Sequence, residues 1–241
     1  EKNYGEIKNG LISINTGIKT LPKEGVLLSA ELSKVNLESI NSLISNFNQK
    51  SFITNAEVSI EELDIYGYKI LNSEIKYLPI NENASIQISS NDVVGNILWD
   101  QKKHSLKAGF EKLHLKKIST LIEDEKKLIF TNPPTINIKA KSLMIDEDSY
   151  GDLSLVAFKE NKIWNIETFK ISNPEHAISG SGFWDDEGLT PNTSINFTWN
   201  INNIQKTFDQ LTYPELIKDG KASVIGMLSW PNSPFDFDSS A

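Results

Sequence analysis

Along most of the chain apolar and polar residues alternate with period two, the pattern that places one set of side chains on each face of a half-buried strand. The clearest runs are Ile86-Gln87-Ile88, Ile136-Asn137-Ile138-Lys139-Ala140, Asp152-Leu153-Ser154-Leu155 and Thr193 through Ile201. Clusters of short polar residues separate such runs: Asn81-Glu82-Asn83, Glu123-Asp124-Glu125, Asp146-Glu147-Asp148-Ser149 and Asp185-Asp186-Glu187-Gly188. Their side chains bond back to nearby backbone and suit reversals between antiparallel neighbours. A mainly β chain is predicted.

Only two segments switch to helical spacing. Asn36 can cap a helix in which Leu37, Ile40, Ile44 and Phe47 make one apolar stripe. A second begins near Asn202 or Asn203, carries Ile204, Phe208 and Leu211, and stops before Pro214. Helices this short are marginal alone, so each is expected to lie against a sheet.

The pattern also repeats. Leu63-Asp64-Ile65 through Leu78 runs parallel to Leu143-Met144-Ile145 through Phe158, and Ile88 through Asp100 matches Ile171 through Asp185 in the same order. The chain therefore reads as one continuous unit over 1–241, made of tandem pseudo-repeats at 1–129 and 130–241. Stacked blocks of strands extend a sheet in one direction.

Composition narrows the chemistry. The 241 residues carry a net charge of -8, and every basic residue is a lysine. Nucleic-acid binding needs clustered positive charge and usually arginine forks, so no nucleic-acid partner is expected. Cysteine is absent, which excludes disulfides, thiolate metal sites and a cysteine nucleophile. No apolar run approaches the roughly 18 residues of a membrane span, and Glu1-Lys2-Asn3-Tyr4 has no signal-peptide pattern. The ending at Trp230-Pro231 through Ser239-Ser240-Ala241 does not taper into a polar tail, and is expected to be a cut within a longer protein.

Catalytic machinery is not expected. A hydrolytic base near neutral pH is normally a histidine held by a carboxylate. His104 follows two lysines in a turn, His114 alternates with leucines, and His176 sits in Asn173-Pro174-Glu175-His176, so all three read as solvated or edge residues. No metal-binding HExxH spacing, phosphate-binding glycine loop or nucleophile elbow occurs. The acidic clusters at 146–148 and 185–187 could supply paired carboxylates or calcium ligands but read more simply as hairpin turns. The sequons at Asn83, Asn192 and Asn196 are what so asparagine-rich a chain produces by accident. Trp99, Trp164, Trp184, Trp199 and Trp230 lie in or beside strands, as packing groups or as lining of an apolar cleft.

Residues 130–241 carry an ordered set of motifs: Trp164-Asn165-Ile166, Ile178-Ser179-Gly180-Ser181-Gly182-Phe183-Trp184, Thr193 through Phe197, the helix to Tyr213, Asp219-Gly220-Lys221-Ala222, and Trp230-Pro231-Asn232-Ser233-Pro234-Phe235. This order resembles the C-terminal region of YhdP-like proteins of the AsmA-like superfamily, with Gly25 to Phe47 a weaker match to the family's strand and short helix. Asn232 stands where the family favours glycine, and asparagine tolerates the left-handed conformation such a turn needs. The resemblance implies an elongated antiparallel sheet curled into a taco-like groove whose apolar interior shields acyl chains. It further implies an inner-membrane anchor outside these residues, a periplasmic body in a Gram-negative cell, movement of phospholipid towards the outer membrane, and neither cofactor nor catalytic residue.

Alternation and resemblance together pick out Ile136, Ile138, Leu153, Leu155, Ile195, Phe197, Trp199, Val224 and Leu228 as the groove wall, with phospholipid acyl chains as ligand. The alternatives are an envelope scaffold that binds other proteins along its sheet edges, and a carbohydrate-active protein using the acids beside Trp184.

Overall fold

A computed structural model describes residues 8–17, 19–36, 53–65, 68–80, 83–117, 134–161, 163–185, 191–210 and 219–232. They form one curved sheet whose strands lie side by side in chain order. The strands are β1 (Asn9–Ile14), β2 (Gly25–Asn36), β3 (Ile53–Ile65), β4 (Tyr68–Ile80), β5 (Asn83–Ser89), β6 (Val93–Asp100) and β7 (Ser105–Lys117). They continue as β8 (Thr135–Ile145), β9 (Asp148–Glu160), β10 (Ile163–Ser172), β11 (His176–Asp185), β12 (Asn192–Ile201) and β13 (Ala222–Pro231). Between β12 and β13 lies a short helix, α1 (Ile204–Gln210).

The sheet is mixed, where an antiparallel one was expected: β1–β2, β2–β3 and β7–β8 pair in parallel. Period-two alternation is the same in both directions, so it carries no information on strand direction. A short connection does, because it forces an antiparallel pair; a long one permits either direction, and β12–β13, joined through 202–221, is antiparallel. The parallel pairs are joined through residues 15–24, 37–52 and 118–134, long enough for a crossover, whereas β8 and β9 are joined by Asp146 and Glu147 alone. The first crossover lies over the polar face: Lys19 Nζ bonds Glu57 on β3 at 2.7 Å, Asn15 donates to the Glu31 carbonyl, and Ser29 is buried.

The described residues contain one short helix rather than two. Asn36, the expected cap of the first, is the last residue of β2 and donates to Asp64, and 37–50 lies outside the described residues. The second is present. Asn203 caps it, its Oδ1 accepting from the Lys206 N–H at 3.0 Å. Ile201, Ile204 and Thr207 are buried around it.

The paired segments of the expected repeat fall at corresponding places, Leu63–Ile65 and Leu143–Ile145 ending β3 and β8, Val94–Trp99 and Ser179–Trp184 lying on β6 and β11. The strand just before each four-strand block, β2 or β7, is the one that pairs with it in parallel.

The alternation slips by one residue at the same level on several strands. On β2 the apolar series Ala30, Leu32 resumes at Val35; on β3 Val58, Ile60 resumes at Leu63; on β8 Ala140 is followed by Leu143 across a register shift. Asn72, with φ 50°, takes up the same slip on β4. An unpaired residue bends a strand and raises its twist, and a line of such slips folds a sheet along a crease. Inside the crease Val35, Ile60, Leu63, Ile70, Ile88 and Val93 pack as one core cluster. The hairpin of β5 and β6 stops there, turned by Ser90, and β4 and β7 pair directly beyond it through Tyr68–Lys117 and Lys69–Lys116.

Candidate functional site

Residues paired across strands share a face, so the registers can be followed from one edge of the sheet to the other. One row runs Ile12, Leu28, Ala56, Tyr77, Ile86, Ile97, Ala108, Ile138, Leu155, Phe169, Gly180, Phe197, Gly226. No member is charged. Two residues along each strand a second row runs from Ile14 through Ile75, Phe110, Leu153 and Ile178 to Trp199 and Val224. On the other side a third runs from Ala84 and Trp99 through Ile136, Ile166 and Gly182 to Ile195 and Leu228. Thirteen strands at about 4.8 Å spacing make each full row about 58 Å long.

The opposite face is more polar, with Leu78, Ile80, Leu98 and Phe183 exposed among its polar residues. The row one residue over reads Ser13, Ser29, Glu57, Lys76, Gln87, Asn96, Gly109, Lys139, Ser154, Lys170, Ser179, Thr198, and ends on Ile225. A cleft of about 470 Å³ is lined by Glu31, Ser59, Glu61 and Glu74 among others.

All of the residues expected in the groove wall lie on the apolar face. Ile138 and Leu155 are direct partners, as are Ile195 with Leu228 and Trp199 with Val224; Ile136 faces Ala157 and Leu153 faces Ala140. Each is half-buried or exposed, so on β8, β9, β12 and β13 this face is open, while on β2 to β7 the crease fills part of it. Sequence reasoning missed Phe169 and Ile171 on β10. The register shift between Ile166 and Phe169 breaks the strand's alternation and hides which residues share a face.

Glycines on these rows make room for rings. A Cβ on Gly180 would come within 2.7 Å of the Phe169 ring, and one on Gly226 within 2.9 Å of the Phe197 ring. The aromatic side chains lie flat across neighbouring glycines and keep the face continuous. Along the strand ends at one margin Trp164 and Trp184 meet edge to face at 6.3 Å, and the Trp164 Nε1–H points to the Pro134 carbonyl at 3.5 Å. The register carries this line through Thr193 to Trp230.

At the other margin His176 departs from expectation. It is buried rather than solvated, stacks edge to face on Trp199 at 6.0 Å, and meets the Asn173 amide at 3.2 Å through Nε2. Asn173 also receives the N–H groups of Glu175 and His176, so the turn before β11 holds the ring over the apolar face. His104 is in a turn as expected and packs against Trp99. His114 meets Ser142 Oγ at 3.1 Å, and burial holds its pKa below the ordinary value. Glu57 is held low chiefly by its hydrogen bond from Lys19, and burial raises Tyr150. None of these titrating groups belongs to the three apolar rows.

Among the described residues no group of three or more histidine, aspartate or glutamate side chains is placed to hold a metal ion. Asp146 and Glu147 form an exposed turn, while residues 186 and 187 of the other acidic cluster lie outside the described residues. No described helix is long and apolar enough to cross a membrane. Asn232 adopts φ 68°, the left-handed geometry expected of it, with its N–H on the Pro191 carbonyl and its own carbonyl accepting from Thr193 Oγ1.

No curated protein and no solved structure matches the chain. The model of the YhdP protein family matches residues 1–241. The chain therefore belongs to the YhdP family, an AsmA-like family of envelope proteins.

Proposed function

We propose that the chain is a segment of an inner-membrane-anchored periplasmic protein that shields phospholipid acyl chains along its apolar face and lets them pass between inner and outer membranes. The observation that carries this reading is the pair of uncharged rows, from Ile12 to Gly226 and from Ile14 to Val224, that cross every strand of the sheet. Each methylene removed from water contributes about 0.8 kcal/mol, so an acyl chain needs continuity of apolar surface and no specific polar contact. A charged side chain within a row would break that continuity. Head groups stay at the open margin, in water.

The test uses a photoreactive side chain placed at Ile138 or Phe197, on the apolar face, or at Lys139 or Lys170, on the polar face. Phospholipid adducts are expected from the first pair alone. Replacing both Ile138 and Leu155 with aspartate is expected to lower adduct yield at Phe197 at least tenfold, and Lys139→Asp to leave it unchanged. Equal yields from both faces, or unchanged yield in the aspartate variant, would refute the assignment and leave the face as structural core.

A further inference from the structure

From β10 to β13 the row that begins at Ile12 is built differently from the rest of its length. Its members there are Phe169, Gly180, Phe197 and Gly226, so aromatic ring and glycine alternate from strand to strand. The Phe169 ring lies over Gly180 and the Phe197 ring over Gly226, at 2.7 and 2.9 Å from where a Cβ would stand. Neither glycine contributes a side chain and both rings are laid down, so this stretch of the row is low. The rows beside it are higher. Trp199 and Val224 flank it on one side, Ile195 and Leu228 on the other. Val224 and Leu228 are 42% and 43% exposed and lie about 13 Å apart along β13, with Gly226 midway between them. Together these residues form a shallow trough that crosses the strands and is floored by the two rings.

Floor and walls are uncharged, and the trough runs over the face of the sheet, where backbone N–H and C=O groups are already used in the ladders. A peptide lying in it would leave its own backbone groups without partners. A hydrocarbon chain has no such groups and gains by leaving water.

We propose that this trough seats one acyl chain lying across β10 to β13, and that Gly226 is the positioning residue that sets its depth. The inference rests on the reading of the apolar face as a phospholipid path, and adds to it a direction for the chain. Gly226 is singled out by what its missing Cβ would touch, which is ring atoms of Phe197 and nothing else within 4 Å. At Gly180 an added methyl would also meet the Asn196 carbonyl, and at Gly182 the Ser194 carbonyl, so a change there disturbs the strands themselves. A methyl at Gly226 displaces the Phe197 ring alone. With the strands beneath it, the ring can rise only into the trough.

The test places a photoreactive side chain at Val224, on the trough wall, or at Ile138, on β8 and away from it, and exposes the chain to phosphatidylethanolamine vesicles. Phospholipid adducts are expected at both positions. Gly226→Ala is expected to lower the yield at Val224 at least threefold and to leave the yield at Ile138 within twofold. Adding Phe197→Ala removes the displaced ring and is expected to bring the yield at Val224 back to within twofold of the parent, whereas a strand damaged by the first substitution would lose more with the second. Gly109→Ala, on the other face with open space around its Cβ, is expected to change neither yield. Adducts at neither position would refute the phospholipid path and the trough with it. Adducts at Ile138 with none at Val224, an unchanged yield at Val224 in Gly226→Ala, or no recovery in the double variant would overturn the trough alone.

Discussion

Gly180 lies between Phe169 on β10 and Phe197 on β12, and a methyl group there would meet the Asn196 carbonyl as well as the Phe169 ring. Backbone cannot move aside as a flexible side chain can, so Gly180→Ala is expected to destabilise the fold by about 1–3 kcal/mol. Gly109, on the polar row, has open space where its Cβ would be, and Gly109→Ala is expected to stay within about 0.5 kcal/mol of the parent. Urea midpoints at constant slope distinguish the two, and equal shifts would mean that the rings do not depend on the glycines. At this scale the sequence was partly legible. The Gly180 and Gly182 pair was a visible signal. His176 was not, because its burial comes from Trp199, more than twenty positions away in the chain and brought alongside only by the β11–β12 register.

The strands were read correctly wherever their alternation is unbroken, as at Ile136–Ala140 and Thr193–Ile201, because burial of one face dictates that pattern directly. Strand direction was not read, since parallel and antiparallel neighbours impose the same period and only the crossovers decide. Nor were the slips at 32–35, 60–63 and 140–143, because two polar residues between apolar ones look the same in a bulge as in a turn. Those slips divide the face into a filled crease and an open stretch, with separable consequences. Leu63 is 3% exposed within the crease cluster, so Leu63→Ala is expected to cost about 2–5 kcal/mol. Leu155 is half-buried on the open stretch, and Leu155→Ala is expected to cost less than half as much while lowering lipid crosslinking more than Leu63→Ala does. Thermal denaturation paired with adduct yield checks both halves. A larger stability loss at Leu155 would place the core under the open rows instead.

Across the whole molecule each strand contacts chiefly the strands beside it in the sheet order, with β4 and β7 as the added link. Stability in such an array is close to a sum of neighbour terms, so it need not be uniform along the sheet. The crease cluster draws on β2 to β6, with Phe110 and Leu113 of β7 packed against it, whereas β13 has β12 on one side and, on its other, no described strand. Strand opening in this 241-residue chain should therefore begin at β13 and move inward. Hydrogen exchange is expected to show least protection on β13, more on β11 and β12, and most on β3, β4 and β7. Uniform protection from β2 to β13 would show that the sheet opens as a single cooperative unit, with the rows themselves rather than the crease supplying its stability.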